Sequence, residues 1–186
     1  VTGYPVLTRK ADPVELLRAD FSSDAGGPDN EGFALAGRWQ VSDRRSGDPG
    51  HTAPHTLYFG NGDSYPDFAN AAAISPTLDL RGLLTAQLDF SQFVDVEAHF
   101  DFAAVNVVHG ETTTRVGRSE IEYESESGGW VPVTLDLTPF VGQQIQIAFE
   151  FTSDEDTEPP REGWYVDDVV VQGMPFTAAG SRKLAR

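Results

Sequence analysis

The stretch from Glu162 to Val171 constrains the fold most, because it is a strongly β-forming run that contains two adjacent carboxylates. Its Trp, Tyr and Val side chains favour a pleated, half-buried strand. Successive side chains of a strand point to opposite faces, so either Asp167 or Asp168 shares a face with apolar neighbours. A buried carboxylate costs free energy unless it is paired, hydrogen-bonded or bound to a metal. The stretch therefore predicts a strand that supplies a calcium ligand.

Other short segments alternate apolar and polar side chains with the period of a β-strand. The clearest is 144–152, in which Ile145, Ile147 and Phe149 share one face. Pro132 removes a backbone donor and predicts that the strand at 131–137 lies at a sheet edge. The remaining predicted strands, some of them weak, are 85–94, 101–108, 71–80, 57–59, 33–41 and 15–21.

The spacing of these segments predicts an all-β domain. Short strands separated by Gly, Pro, Asn and Asp turns, without helical periodicity, are typical of a β-sandwich or barrel. We assign the sandwich to residues 19–174, an N-terminal leader or extension to 1–18, and a C-terminal linker or tail to 175–186. Long loops in compact β domains are usually functional or mobile, and three stand out here: 22–32, 42–56 and 152–163.

Composition narrows the functional classes. The formal net charge is -16, from 29 acidic and 13 basic residues, so the chain repels nucleic acid and anionic membranes and attracts cations. The absence of cysteine excludes disulfides, thiolate nucleophiles and Cys-based metal sites. No apolar run approaches the roughly 18–20 residues of a membrane span. We expect an acid-rich protein at the cell surface or in an extracellular setting.

An ordered set of motifs extends from about residue 20 to residue 173. It opens with Asp20-Phe21 and closes with the run from Gly163 to Val169. In this order the motifs resemble the bacterial jelly-roll modules related to MAM domains, which occur in immune-inhibitor-A-type secreted proteases and as cleaved adhesin domains. Between the opening and closing motifs lie 38–42, 56–61, 73–80, 88–90, 101–107, Trp130 with 133–137, Gly142 and 147–151.

The resemblance implies a two-sheet antiparallel jelly-roll β-sandwich, a structural calcium ion, and a binding or accessory role without catalysis. The closing motif also occurs in carbohydrate-binding jelly rolls. The chain lacks the disulfide-forming cysteines of eukaryotic MAM domains and contains no metallopeptidase motif.

Calcium takes six to eight oxygen ligands, and the terminal strands of a jelly roll pair with each other. Asp167 or Asp168 is therefore expected to meet a carboxylate near the start of the chain. In the alternative, one Asp faces solvent and the other accepts hydrogen bonds from backbone or Arg donors. The acidic loop 154–158 is a second candidate, although a solvated loop explains it better. The predicted ligands are Asp20, Asp24, Glu97, Asp101, Asp167 and Asp168.

Aromatic side chains suggest where a sugar ligand binds, since they stack on sugar faces. The candidates are Tyr65, Phe68, Tyr123, Trp39 and Trp130. Trp39 and Trp130 are expected to pack in the core or on a sheet. Tyr65, in the polar segment 63–67, is the best candidate for an exposed ligand-binding residue.

Catalysis is not expected. His51 and His55 have the spacing of a helical zinc pair, but Pro54 argues against a helix and the intervening Glu is missing. No Gly-x-Ser-x-Gly nucleophile motif occurs.

The sequence therefore predicts a non-catalytic, calcium-stabilised binding or adhesion module, accessory to a secreted or cell-surface protein. Its partner would be a glycan or a protein, and neither nucleic-acid binding nor membrane insertion is expected. One alternative is a self-assembling extracellular structural subunit, a homo-oligomer that exchanges strands through residues 1–18. The other alternative is a carbohydrate-binding module.

Overall fold

A computed structural model describes residues 12–23, 29–118, 127–155 and 160–176. Within these ranges the regular structure is β-strand apart from one short 3₁₀ helix, Thr138–Phe140, as the alternation predicts. The strands are β1 (Val14–Ala19), β2 (Ala34–Leu35), β3 (Trp39–Ser42), β4 (Thr56–Phe59), β5 (Asn70–Ile74), β6 (Leu78–Asp79), β7 (Leu83–Asp95), β8 (Phe102–His109), β9 (Thr112–Arg118), β10 (Val131–Asp136), β11 (Gln144–Thr152) and β12 (Gly163–Pro175).

The strands form two sheets of six, and every pairing is antiparallel. The first sheet has the order β10-β7-β12-β4-β3, and β1 also pairs with β12. The second has the order β2-β5-β11-β8-β9, and β6 also pairs with β11. This architecture confirms the all-β, two-sheet prediction.

Apolar side chains from the two sheets meet in one core. The ring of Phe149 on β11 lies 5.6 Å from the ring of Trp164 on β12 and 5.3 Å from that of Phe90 on β7. Trp39 is 5% exposed within this core, which confirms its predicted packing role. Because successive side chains of β7 and β12 point to opposite sides, every second one lies on the side of the first sheet away from the core, here called the outer face.

The first and last strands pair as expected. Val14 of β1 lies opposite Gly173 of β12, and Ala19 lies opposite Val169. β1 therefore begins within the segment assigned to the leader, and this part of residues 1–18 belongs to the chain's own first sheet. Residues 1–11 lie outside the described residues, so self-assembly through them stays a prediction. β10, which contains Pro132, lies at the edge of the first sheet as predicted.

Three segments differ from the sequence prediction. The segment 33–41, predicted as one strand, forms β2 and β3, which belong to different sheets. The segment 71–80, predicted as a strand with a bend or edge at Ser75-Pro76, is two strands separated at these residues. There the hydroxyl of Ser75 accepts a hydrogen bond from the backbone N–H of Ile147 at 2.9 Å and replaces part of the strand ladder. β9 was not predicted, since its run of threonines lacks the apolar alternation that marks a half-buried strand.

Candidate functional site

The upper half of the outer face carries an aromatic cluster of Tyr58, Phe93, Trp130 and Tyr165. The rings of Tyr58 and Tyr165 stack at 4.1 Å, and the ring of Phe93 meets Tyr165 edge-on at 5.9 Å. The ring of Trp130 lies 6.4 Å from that of Tyr165. Alternation along β12 explains the position of Tyr165, because its neighbours Trp164 and Val166 face the core.

The covering loop, residues 43–55, packs over this cluster. The imidazole of His51 stacks on the indole of Trp130 at 4.3 Å between centroids. The guanidinium carbon of Arg45 lies 3.4 Å from the centroid of Phe93, a cation–π contact. Arg45 also forms ion pairs with Glu162 at 2.5 Å and with Asp48 at 2.6 Å. The long loop singled out in the sequence is thus a fixed cover on the outer face.

A buried histidine–aspartate pair anchors the covering loop. Nδ1 of His51 lies 2.9 Å from Oδ2 of Asp167, and both side chains are 0% exposed. Nε2 of His51 lies 2.8 Å from the carbonyl oxygen of Arg45. Burial raises the pKa of Asp167 to about 7. Asp167 is thus the buried carboxylate that the sequence predicted within this strand, and His51 is its partner.

The other predicted calcium ligands lie in different parts of the fold. The last pair of the β1–β12 ladder is Ala19 with Val169, so Asp20 follows it on one strand and Asp168 precedes it on the other. Asp168 lies at a β-bulge and has a positive φ of 52°. Burial raises the pKa of Glu31, and the negative charge of nearby Asp20 raises it further. Asp24 lies outside the described residues. Among the described residues no cluster of three or more potential metal ligands is present.

Glu97 and Asp101 lie at the loop end, the end of the sandwich formed by residues 60–69, 95–101, 153–155 and 160–162. Tyr65 donates a hydrogen bond to Asp101 there, and its hydroxyl accepts one from the backbone N–H of Glu97 at 2.9 Å. Asp101 also accepts a hydrogen bond from the backbone N–H of Asp154 at 3.0 Å. Tyr65 is only 3% exposed, so the expectation that it is an exposed residue is wrong. The hydrogen-bond partner of its hydroxyl, Asp101, lies 36 residues away in the sequence, and this bond holds the ring inward.

Phe68 takes the exposed position that the sequence suggested for Tyr65. It is 72% exposed, the largest value among the large apolar side chains of the described residues, and its φ is 52°. Its backbone N–H donates to the carbonyl of Asp154 at 2.9 Å. Phe100, 55% exposed, lies at the same end. Phe68 is among the aromatic candidates that the sequence offers, although Tyr65 was expected to be the exposed one. Phe100 was not predicted, because a single apolar residue in a loop carries no periodic signal.

The lower half of the outer face is an open groove of about 510 Å³. Asp89, behind the groove-lining residues Gln87, Gln172 and Thr134, accepts a hydrogen bond from each of them, at 2.7 Å, 3.3 Å and 2.6 Å. Burial acts to raise the pKa of Asp89, but these three donors together lower it below the ordinary value. The groove is lined by Pro13, Thr85, Ala86, Gln87, Thr134, Leu135, Asp136, Thr138, Gln172, Gly173 and Met174.

No known protein-family profile matches the chain. Bacillopeptidase F of Bacillus subtilis strain 168 is 28% identical over 157 residues, which covers 83% of this chain and 10% of that protein. Immune inhibitor A of Bacillus thuringiensis subsp. alesti is 30% identical over 86 residues, 43% of this chain and 12% of that protein. The chain therefore spans about a tenth of the length of these secreted proteases. Their similarity confirms the resemblance noted from the motifs.

Two solved structures share the fold over nearly their whole length. The K1 cleaved adhesin domain of Lys-gingipain from Porphyromonas gingivalis W83 has a TM-score of 0.53 at 19% identity, covering 88% of this chain and 98% of that domain. The CBM22-1 xylan-binding domain of Paenibacillus barcinonensis Xyn10C has a TM-score of 0.53 at 9% identity, covering 90% and 97%. These similarities confirm the jelly-roll sandwich. No helix among the described residues is long and apolar enough to cross a membrane.

Proposed function

We propose that this chain is a non-catalytic binding module of a secreted protein, and that the loop end contacts its partner macromolecule. Phe68 carries the proposal. The left-handed backbone region costs a residue with a side chain roughly 1–2 kcal/mol, and an exposed ring regains little of this by burial. With a φ of 52° and 72% exposure, Phe68 contributes little to folding in either respect. Backbone strain of this kind gathers at functional sites.

The loops beneath Phe68 are rigidly joined, which favours binding. The buried contact of Tyr65 with Asp101 links residues 60–69 to 95–101, and Asp101 in turn holds the backbone of Asp154. The backbone N–H of Phe68 donates a hydrogen bond to the carbonyl oxygen of Asp154. A surface already ordered before binding loses less conformational entropy when a partner docks, and exposed aromatic residues are frequent anchors of interfaces.

The His51–Asp167 pair does not support an enzymatic alternative. Both side chains are 0% exposed and Trp130 covers the imidazole, so no substrate reaches either group. A general base must lie within hydrogen-bond reach of its substrate. The pair is better explained as an anchor of the covering loop.

The Phe68→Gly variant is expected to fold as stably as the parent chain, or up to about 1 kcal/mol more stably, because glycine adopts a positive φ without strain. The same change is expected to weaken partner binding at least tenfold. Thermal melting measures the first effect. Surface plasmon resonance on immobilised extracellular proteins, with collagen and fibronectin as probes, measures the second.

Phe176→Gly is the matched control, since Phe176 is 66% exposed and follows β12 at the opposite end of the sandwich. It should leave partner binding unchanged. A clear loss of stability in Phe68→Gly would show that Phe68 serves the fold. Unchanged binding by that variant would place the interface elsewhere, and either result overturns the proposed site.

We also propose that the fold is stabilised by calcium at the junction of β1 and β12. Asp20 and Asp168 both adjoin the last pair of the β1–β12 ladder, Ala19 with Val169, and Glu31 lies near Asp20. Carboxylates of this kind are ligands that calcium prefers. Asp101 and Asp167 fit a metal less well, because both are buried and are bonded to the side chains of Tyr65 and His51. Asp20 is only partly buried, and its hydrogen-bond donor is the nearby Ser22. A bound ion here would fix the two ends of the chain relative to each other.

Removal of calcium with EDTA is expected to lower the melting temperature, and added calcium is expected to restore it, since an ion that binds only the folded state stabilises it. Asp20→Asn and Asp168→Asn should abolish this response. Asp63→Asn, at an exposed turn, should retain it. A melting temperature that is the same with EDTA and with millimolar calcium would exclude structural calcium.

A further inference from the structure

The groove on the lower outer face has an ordered set of polar groups across its floor. The strand register places Asp136, Gln87, Gln172 and Glu15 in one transverse row over β10, β7, β12 and β1. Asp89 occupies the next row of β7. Hydrogen bonds from Gln87, Gln172 and Thr134 keep these side chains in place before any ligand arrives.

The chemistry of Asp89 fixes the direction of the two glutamine amides. An ionised carboxylate only accepts hydrogen bonds, so Gln87 and Gln172 must both turn their Nε2 groups toward it. Their Oε1 carbonyl oxygens therefore point away from Asp89. A ligand that lies against both amides meets two acceptors in fixed positions, and it must supply donors.

The charges around the groove exclude anionic ligands. Asp89, Asp136 and Glu15 lie on the same face, and the cation of Arg18 is already paired with Glu15 at 2.6 Å. A phosphate, sulfate or uronate would approach acceptors and negative charge alike. A hydroxyl group, in contrast, donates to the amide carbonyls and accepts from the remaining amide N–H groups.

Apolar surface beside this row completes the site. Met174 and Pro13 line the same groove, and the volume of about 510 Å³ lies within the range of small-ligand sites. Sugars present apolar C–H faces as well as hydroxyl groups. We propose that this groove binds a neutral carbohydrate chain through the amides of Gln87 and Gln172.

This inference rests on the proposed role as a binding module, but it concerns a surface distinct from the loop end. The two surfaces lie toward opposite ends of β12, since Gln172 and Met174 follow Gly163 by most of the strand. Variants of one surface therefore leave the other intact, and the two proposals fail independently.

Isothermal titration calorimetry of the whole chain with xylotetraose, cellotetraose, laminaritetraose and galactotriose tests the inference, with polygalacturonate as the anionic control. We expect at least one neutral saccharide to bind and polygalacturonate not to bind. The double variant Gln87→Ala, Gln172→Ala is expected to lose about tenfold or more in affinity, because the hydrogen bonds of both amides to the ligand are removed.

Gln144→Ala is the matched control, since Gln144 is an exposed glutamine on β11 of the other sheet, and it should bind as the parent does. Thermal melting verifies that each variant is folded. Failure of every neutral saccharide to bind at millimolar concentration overturns the inference. Binding that survives the double variant also overturns it. If saccharide binding is lost in Phe68→Gly and kept in the double variant, the loop end is the carbohydrate site and the groove is not.

Discussion

His51→Ala is expected to destabilise the fold by about 3 kcal/mol, since it leaves the buried carboxyl group of Asp167 without its side-chain partner. The substitution removes three contacts at once: the bond to Asp167, the bond to the carbonyl of Arg45, and the stacking on Trp130. For a domain of this size the melting temperature should fall by roughly 6–12 °C. Urea unfolding followed by tryptophan fluorescence measures the change.

His109→Ala is the control, because His109 is exposed at the end of β8. It should change the free energy of unfolding by less than about 0.5 kcal/mol.

The pH dependence of the stability of the parent chain offers a second readout. The folded-state pKa of Asp167, about 7, lies above its ordinary value of 3.8, so this group contributes stability at acid pH that is lost as the pH rises from about 4 to 7. A loss below about 1 kcal/mol in His51→Ala would show that the covering loop is anchored by other contacts.

Phe149→Ala is expected to cost about 3–5 kcal/mol, the usual range for removing a fully buried aromatic side chain. Phe149 is 0% exposed, and its ring contacts those of Phe33, Phe90 and Trp164 at 5.3–6.2 Å. These rings come from both sheets and from the segment before β2, so the cavity would weaken the contact between the layers. Calorimetric melting should show a lower transition temperature and a smaller unfolding enthalpy.

Phe176→Ala provides the comparison for this change, because the same atoms are removed from a side chain that is 66% exposed. Its free energy of unfolding should stay within about 0.5 kcal/mol of the parent value. If both variants lose similar stability, the core assignment of Phe149 is incorrect.

The sequence predicts the sandwich well because its strands carry their own signal. Ile145, Ile147 and Phe149 alternate with polar residues, and burial of one face is the physical cause of that pattern. The pairing of β1 with β12 also follows from the resemblance. β9 escapes prediction because its threonines pack no continuous apolar face, although backbone hydrogen bonds to β8 are enough to hold it.

The candidate sites are less predictable, because they depend on partners that are distant in sequence. His51 and Asp167 lie 116 residues apart, and nothing in either local segment indicates that they meet. Tyr65 illustrates the opposite error, since polar neighbours in the chain suggest exposure while Asp101 draws the hydroxyl inward. The two amides of the groove become a pair only when β7 and β12 lie side by side.

The position of β12 has a consequence for how the chain is made. This last strand lies in the middle of the first sheet, where it pairs with β7 on one side and with β4 and β1 on the other. Its neighbours β1, β4 and β7 are synthesised first, and the edges that pair with β12 stay unpaired until residues 163–175 have been made. Such non-local pairing makes folding slow and leaves the nascent chain open to wrong strand partners. The first sheet is therefore completed only after β12 has been made.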